Sequence, residues 1–453
     1  MKIFDALLGD PAVDALLSDA GLVAAMLRVE VALAKAEAAL GVIPERAVDA
    51  IEQSAEVASY DLAALATDAA QAGNLAIPLV RHLTDRVARI DADSARYVHW
   101  GATSQDIIDT AMVLQVRNAT TIVLASMERA ADAAAVLAGR HASTIMPGRT
   151  WLQHATPITF GLKAAGWMSM LDRTCADVRN ALERARVLQL GGASGTLAAF
   201  GDRGMEVARV MAADLALSQP ELPWHASRDR LAALCCALGV ATGAMGKIAR
   251  DVALLAQTEV AEAFEAAGEG RGSSSTMPQK RNPVGSSVVL AASVRVPGLV
   301  ATMLAAMPQE HERALGGWQA EWETIPALVR LSAGAARHTA EMIGGLEVDA
   351  ARMRADVELT RGVSLAESAS MALAEHVGKL DAHRIIGDGA TRAMAEQRAL
   401  ASVLAEMPEV TKHLSREEIE HRLSAEQYLG ASEQLVRDAL AQHVRERSAR
   451  GGR

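Results

Sequence analysis

Thirteen prolines punctuate the 453-residue chain, and the places where they are missing constrain the fold more than any other feature. None lies between Pro78 and Pro147, between Pro157 and Pro220, between Pro223 and Pro278, or between Pro326 and Pro408. Proline removes a backbone donor and clashes with the preceding helical turn. These stretches are therefore free to run as long helices. Alanine and leucine, both strong helix formers, dominate them, and only 3% of the chain is aromatic. Apolar residues recur at helical spacing, as in Ile107, Met112, Val113, Val116, Ile122 and Val123. The spacing predicts a helix from Ser104 to about Arg140, roughly 55 Å long at about 1.5 Å per residue. Helices this long and apolar must pack side by side. Alternating β-branched runs are almost absent. The expected fold class is all-α, with an N-terminal helical domain over 1–105, a central long-helix bundle over 106–350 and a small helical domain over 351–453.

Half of the residues are hydrophobic and 22% are charged, a globular balance. The formal net charge of -10 argues against nucleic acid as a partner. It also means that any anion site must be built from local cations and N–H groups. Cys175, Cys235 and Cys236 form neither a CxxC pair nor a disulfide framework, and they read as small apolar residues of a reducing, cytoplasmic compartment. The first residues meet acids and Pro11 too early for a signal peptide. Leu231 to Gly246 is uncharged but shorter than the ~20 residues that a membrane span needs. A buried core helix is expected there, and no membrane partner.

Polar, glycine-containing segments interrupt the helical pattern at four places. The sharpest is Gly270–Val284, GRGSSSTMPQKRNPV, whose successive N–H groups can form an anion nest with Lys280 adding charge. Tyr97–Asp106, YVHWGATSQD, places Thr103 and Ser104 where a helix begins, with hydroxyls and free N–H groups for an anion or for simple capping. Gly148–Pro157, GRTWLQHATP, holds Thr150, Trp151, Gln153 and His154. Met307–Glu323, MPQEHERALGGWQAEWE, carries Arg313 and two of the chain's six tryptophans. Gly191–Gly195, GGASG, lacks the Lys-Ser/Thr of a phosphate loop, and His311-Glu-Arg is not HExxH. No His/Cys spacing suggests a metal, so neither metal nor cofactor is expected.

These segments resemble those of the fumarase, aspartase, argininosuccinate lyase and adenylosuccinate lyase superfamily. Its signature loop, GSSxMPxKxNP, is matched from Ser274 to Pro283, with Ser273 in place of the glycine and Gly272 left as the hinge. Gly73-Asn74, His99 to Asp106, Gly148 to Pro157 and Trp224 to Arg230 follow the family's other segments in order. The resemblance implies a homotetramer of packed long helices, with each site shared among three subunits and built to hold a small polycarboxylate. It further implies that Ser274 carries the base, with Ser275 as its competitor, and that His154 is catalytic. His99, Thr103, Ser104, Thr150, Trp151, Gln153, Lys280, Asn282 and Arg313 are the expected substrate-binding residues.

The family reaction removes a proton α to a carboxylate and expels a group from the β carbon, through a dianion that needs cations and N–H donors around it. In most of the superfamily a histidine follows the threonine of the third segment and protonates the leaving group. Here that position is Trp151. A carboxylate leaving group, whose parent acid has a pKa of ~4, needs little protonation at neutral pH. The Trp151 and Met307–Glu323 segments resemble those of bacterial 3-carboxy-cis,cis-muconate cycloisomerases, which implies lactone formation by a substrate's own carboxylate. The alternatives are a 3-sulfomuconate cycloisomerase, an adenylosuccinate lyase-like elimination, or a crystallin-like structural protein.

Overall fold

A computed structural model describes residues 4–266, 272, 277 and 280–451. The helix expected over the first long proline-free stretch is observed at Ser104–Arg140. The other long helices are Asp19–Ala39, Phe160–Ala185, Asp229–Leu255, Val284–Ala306 and Gly317–Gly344. Their ends follow local chemistry. The Ser18 hydroxyl accepts from Gly21 N at 3.1 Å to start the first of them. Glu265 stands in for such a cap at Val284–Ala306, accepting from Gly285 N at 2.9 Å and from Ser286 N at 2.7 Å.

The chain divides into two compact units, each assembled from three stretches: 1–127, 174–246 and 287–339 in the first, 128–173, 247–286 and 340–453 in the second. In the first unit a buried ion network joins three helices. The guanidinium of Arg228, fully buried, donates to Asp109 at 2.7 and 3.0 Å and to Glu321 at 3.0 and 3.1 Å. It also lies 4.7 Å from the Trp224 ring centre, and Trp318 Nε1 donates to Asp109 at 3.0 Å. Burial raises the Glu321 pKa against the lowering pull of Arg228.

The second unit contains the strands. β1 (Ile145–Thr150) pairs antiparallel with β2 (Gln153–Thr159), and Ala263–Phe264 pairs with Glu347–Val348. The sequence pattern hides the hairpin because Pro147 faces Pro157 and the register shifts between Pro147 and Arg149. Gly148 sits at that shift, where a Cβ would come within 2.5 Å of the Thr156 carbonyl. A smaller core around Leu373, Ile386, Leu400, Leu404 and Ile419 organises the C-terminal helices. Helix Ser432–Gly451 is clasped by His443, whose ring nitrogens meet Asp172 at 2.8 Å and Asp132 at 3.1 Å.

Two helices, Asp229–Leu255 and Val284–Ala306, are long and apolar enough to cross a membrane by composition. The most apolar window of the first is 61% buried, as expected for a core helix, whereas that of the second is 28% buried. Val294 and Leu304 of the second and Val240 of the first are exposed.

Breaking the Arg228 network should cost more than an exposed ion pair. Arg228→Met would strand the carboxylates of Asp109 and Glu321 in the interior, a loss of about 3–5 kcal/mol. Chemical denaturation at fixed protein concentration measures it. A loss of about 1 kcal/mol or less, typical of exposed pairs, would show that the network contributes little.

Candidate active site

In the first unit the residues singled out in the sequence gather at the N-terminal end of Ser104–Arg140. Their anchor is Asp106, fully buried. Its carboxylate accepts from Thr103 N at 3.0 Å, from Gly191 N at 2.9 Å and from Gly192 N at 2.9 Å, and it meets His225 Nε2 at 2.7 Å. One side chain thus ties the helix start to loops far along the chain. The Gly191-Gly192 pair, unfit for phosphate, serves here as a pair of donors to a carboxylate. Arg313 Nη2 reaches the Ala193 carbonyl at 3.0 Å, so it is held beside the same loop. Thr103 and Ser104 are half-buried at the helix's first turn.

The turn that leads into this helix is strained. His99 has φ of 57°, in the left-handed region that non-glycine residues seldom adopt. Gly101, at φ of 71°, lies so close to Phe200 that a Cβ would stand 2.7 Å from its ring. His99 Nδ1 meets Glu30 Oε1 at 2.7 Å. Burial acts first and disfavours the charged imidazole. The charge and hydrogen bond of Glu30, with the charge of Asp106, outweigh it, so the His99 pKa is raised.

Sequence reasoning missed Glu30 and its neighbour Glu37, two turns further along Asp19–Ala39 and fully buried. Burial, with Glu30's charge adding, pushes the Glu37 carboxyl up to about 9. The signal was present: two acids seven positions apart on an otherwise apolar helical face. Arg228, in the segment that follows the family's from Trp224 to Arg230, has its guanidinium enclosed by Asp109 and Glu321.

In the second unit, Thr150 and Gln153 pair at the end of the hairpin, and Trp151 and Leu152 form its two-residue turn. Both turn residues have positive φ, 53° and 64°, the pattern of a type I′ turn that ordinarily takes Asn-Gly. The indole of Trp151 is 95% exposed. His154 faces Arg149 across the strands. Burial first, then the Arg149 charge, lower the His154 pKa, with Asp356 opposing, so the imidazole is held neutral near pH 7. Arg149 is itself clamped on Glu262 by paired hydrogen bonds of 2.7 and 2.8 Å, which fixes the base of the hairpin.

The signature loop is pinched where it is described. Asn282 N donates to the Gly272 carbonyl at 2.9 Å, and Gly272 takes φ of 71°, in keeping with the hinge expected there. Lys280 is exposed and Asn282 half-buried. Arg281 is turned away, donating to the Glu265 carbonyl at 2.7 Å and pairing with Glu347 at 2.9 Å. Ser274 and Ser275 lie outside the described residues.

Comparison with known proteins identifies the family. A family model described as Lyase matches residues 12–298, and one described as Adenylosuccinate lyase C-terminus matches residues 362–439. The 3-carboxy-cis,cis-muconate cycloisomerase of Pseudomonas aeruginosa is 49% identical over 442 residues, covering 98% of this chain and 96% of that one. Its counterpart from Bradyrhizobium diazoefficiens is 50% identical over 430 residues, covering 95% of each. The solved structure of 3-carboxy-cis,cis-muconate lactonizing enzyme from Pseudomonas putida has a TM-score of 0.93 at 46% identity, covering 98% of this chain and all of the other.

The buried Glu37 gives a pH-dependent prediction. Its folded pKa is raised, so its contribution is fully present below the unfolded value and is lost as pH rises towards about 9. Glu37→Gln, neutral at every pH, should therefore stabilise the fold, and the gain should grow between pH 6 and pH 8.5. Thermal denaturation of both proteins across that range measures it. A gain that is absent or independent of pH would show that Glu37 is not held protonated.

Proposed function

The chain belongs to the lyase family of fumarase and aspartase type, whose members include the 3-carboxy-cis,cis-muconate cycloisomerases that it matches along nearly its whole length, and from that premise we propose that it is itself such a cycloisomerase. The reaction converts 3-carboxy-cis,cis-muconate to 4-carboxymuconolactone. A carboxylate oxygen of the substrate adds to the conjugated chain and forms the lactone C–O bond. The displaced π pair is drawn towards the neighbouring carboxylate, and a proton then closes the α carbon.

The observation that carries this reading is Trp151. Where the family places an imidazole that protonates a departing amine or hydroxide, this chain presents an indole, which has no proton to give at neutral pH. Lactone formation, run forward or back, makes or breaks a bond to a carboxylate oxygen and needs no such acid.

The remaining roles follow the same chemistry. Lys280, Asn282, Thr103, Ser104 and Arg313 supply charge and hydrogen-bond donors to the carboxylates, with Thr150, Gln153, Trp151 and His99 completing the wall. Ser274 exchanges the proton at the α carbon, as the family resemblance implies, with Ser275 as the alternative. His154 orients a substrate carboxylate through a hydrogen bond. The protein works as a cytoplasmic homotetramer in which three chains contribute to each site. Exposed apolar residues on two long helices, Val240 at 62%, Val294 at 77% and Leu304 at 47%, support burial against further copies of the chain.

Ultraviolet turnover assays with 3-carboxymuconate, 3-sulfomuconate and adenylosuccinate in parallel test the reading. Loss of the muconate chromophore with the 3-carboxy substrate, much faster than with the other two, is expected. Preference for the sulfonate or efficient release of AMP would overturn it, and no turnover of any of the three would favour a structural role.

A further inference from the structure

We propose that Glu30 is a positioning residue that holds His99 as an Nδ1-protonated imidazolium, turning its Nε2–H into a fixed cationic donor for a carboxylate of the substrate. The geometry is specific. Glu30 sits on helix Asp19–Ala39 with its side chain 1% exposed, while the His99 side chain is 18% exposed. Glu30 Oε1 lies 2.7 Å from Nδ1. Against an ionised carboxylate, which accepts and does not donate, a contact at that distance puts the proton on Nδ1. The ring's other nitrogen is then the only one left for a ligand.

The backbone supports the same assignment. His99 is held at φ of 57°, one residue before an exposed indole and two before Gly101, which is wedged against Phe200. Strain of this kind persists only where surrounding contacts determine it, and it clusters at ligand sites. The Glu30 contact is the one that fixes the ring.

The charged groups around His99 all favour the cation. Glu30 contributes from its own helix and Asp106 from the start of Ser104–Arg140. His225 lies beyond Asp106, against its Oδ1. On the far side of Glu30, Glu37 is protonated below about 9 and so adds no charge. Tyr60 is likewise neutral, raised to about 12 chiefly by burial, and Arg86 lies against its ring at 4.9 Å. Glu30 is thus the carboxylate that His99 contacts directly.

The activity arm of this proposal rests on the muconate reading. Its sign follows from the pairing: substrate capture falls as pH rises through the His99 pKa, because neutral imidazole presents a lone pair to an anion. In Glu30→Gln the hydrogen bond can persist without the charge, so the basic limb of kcat/KM moves to lower pH. Above that limb kcat/KM drops about tenfold to a hundredfold, the size expected for one charge-assisted hydrogen bond, and the change falls mainly on KM. His99→Gln removes the limb, whereas Glu37→Gln leaves it where it was. A Glu30→Gln profile parallel to wild type, shifted in neither limb nor KM, overturns the proposal. So does an equal shift in Glu37→Gln.

A second measurement needs neither turnover nor a folded Glu30 variant. In 15N-histidine-labelled wild-type protein, the resonances missing from His99→Gln must show Nδ1 protonated and the ring titrating above the ordinary histidine range. An Nε2–H tautomer, or an ordinary titration, overturns the pairing. If wild type turns over no muconate, the functional reading fails while this titration still decides the role of Glu30.

Discussion

A single buried carboxylate organises the first unit. Asp106 accepts three backbone N–H groups and contacts the ring of His225, all within 3.0 Å. Each of those groups would otherwise be an unsatisfied donor at a helix start or in a buried loop, at a cost of about 1–3 kcal/mol each. Satisfying them with one side chain sets the position of residues 99–104 relative to 191–193 and 224–225. The placement of His99, Thr103, Ser104 and Arg313 depends on that knot. The Arg228 network, one turn along at Asp109, holds the neighbouring helices in register behind it. Buried ions of this kind are costly to desolvate, so their pairing must be close and complete.

Much of the fold was legible in the sequence because its determinants are local. Proline spacing and helical periodicity predicted a helix from Ser104 to about Arg140, as observed, and the uncharged run within Asp229–Leu255 was recognised as a core helix. The hairpin was not legible. Its strands contain a proline each, its register slips at Gly148, and its turn uses Trp-Leu where Asn-Gly would have signalled a type I′ turn. The division into compact units was equally hidden, since each unit draws on three separate stretches that only tertiary contacts unite.

The site was read in part, for the same reason. Residues inside a motif could be named from the motif, which is how His99, Thr103, Thr150, Lys280 and Asn282 were proposed. Residues that act on those from another helix carry no motif of their own. Glu30 and Glu37 look like interior positions of an amphipathic helix until burial reveals acids on the apolar side. Glu265 looks like a loop acid until it is seen capping Val284–Ala306. Arg228 lies within a motif yet is fully buried and paired with two carboxylates, a partnership that the motif did not reveal.

In the proposed reaction this scaffold, with an indole where its family keeps an acid, adds a carboxylate oxygen across a conjugated chain and takes the closing proton from solvent. Turnover of 3-carboxy-cis,cis-muconate in D2O, with the product read by proton NMR, tests it directly. The predicted product is a lactone bearing one deuterium, on the carbon next to the carboxylate. An open-chain product, or a lactone with no deuterium at that carbon, would contradict it.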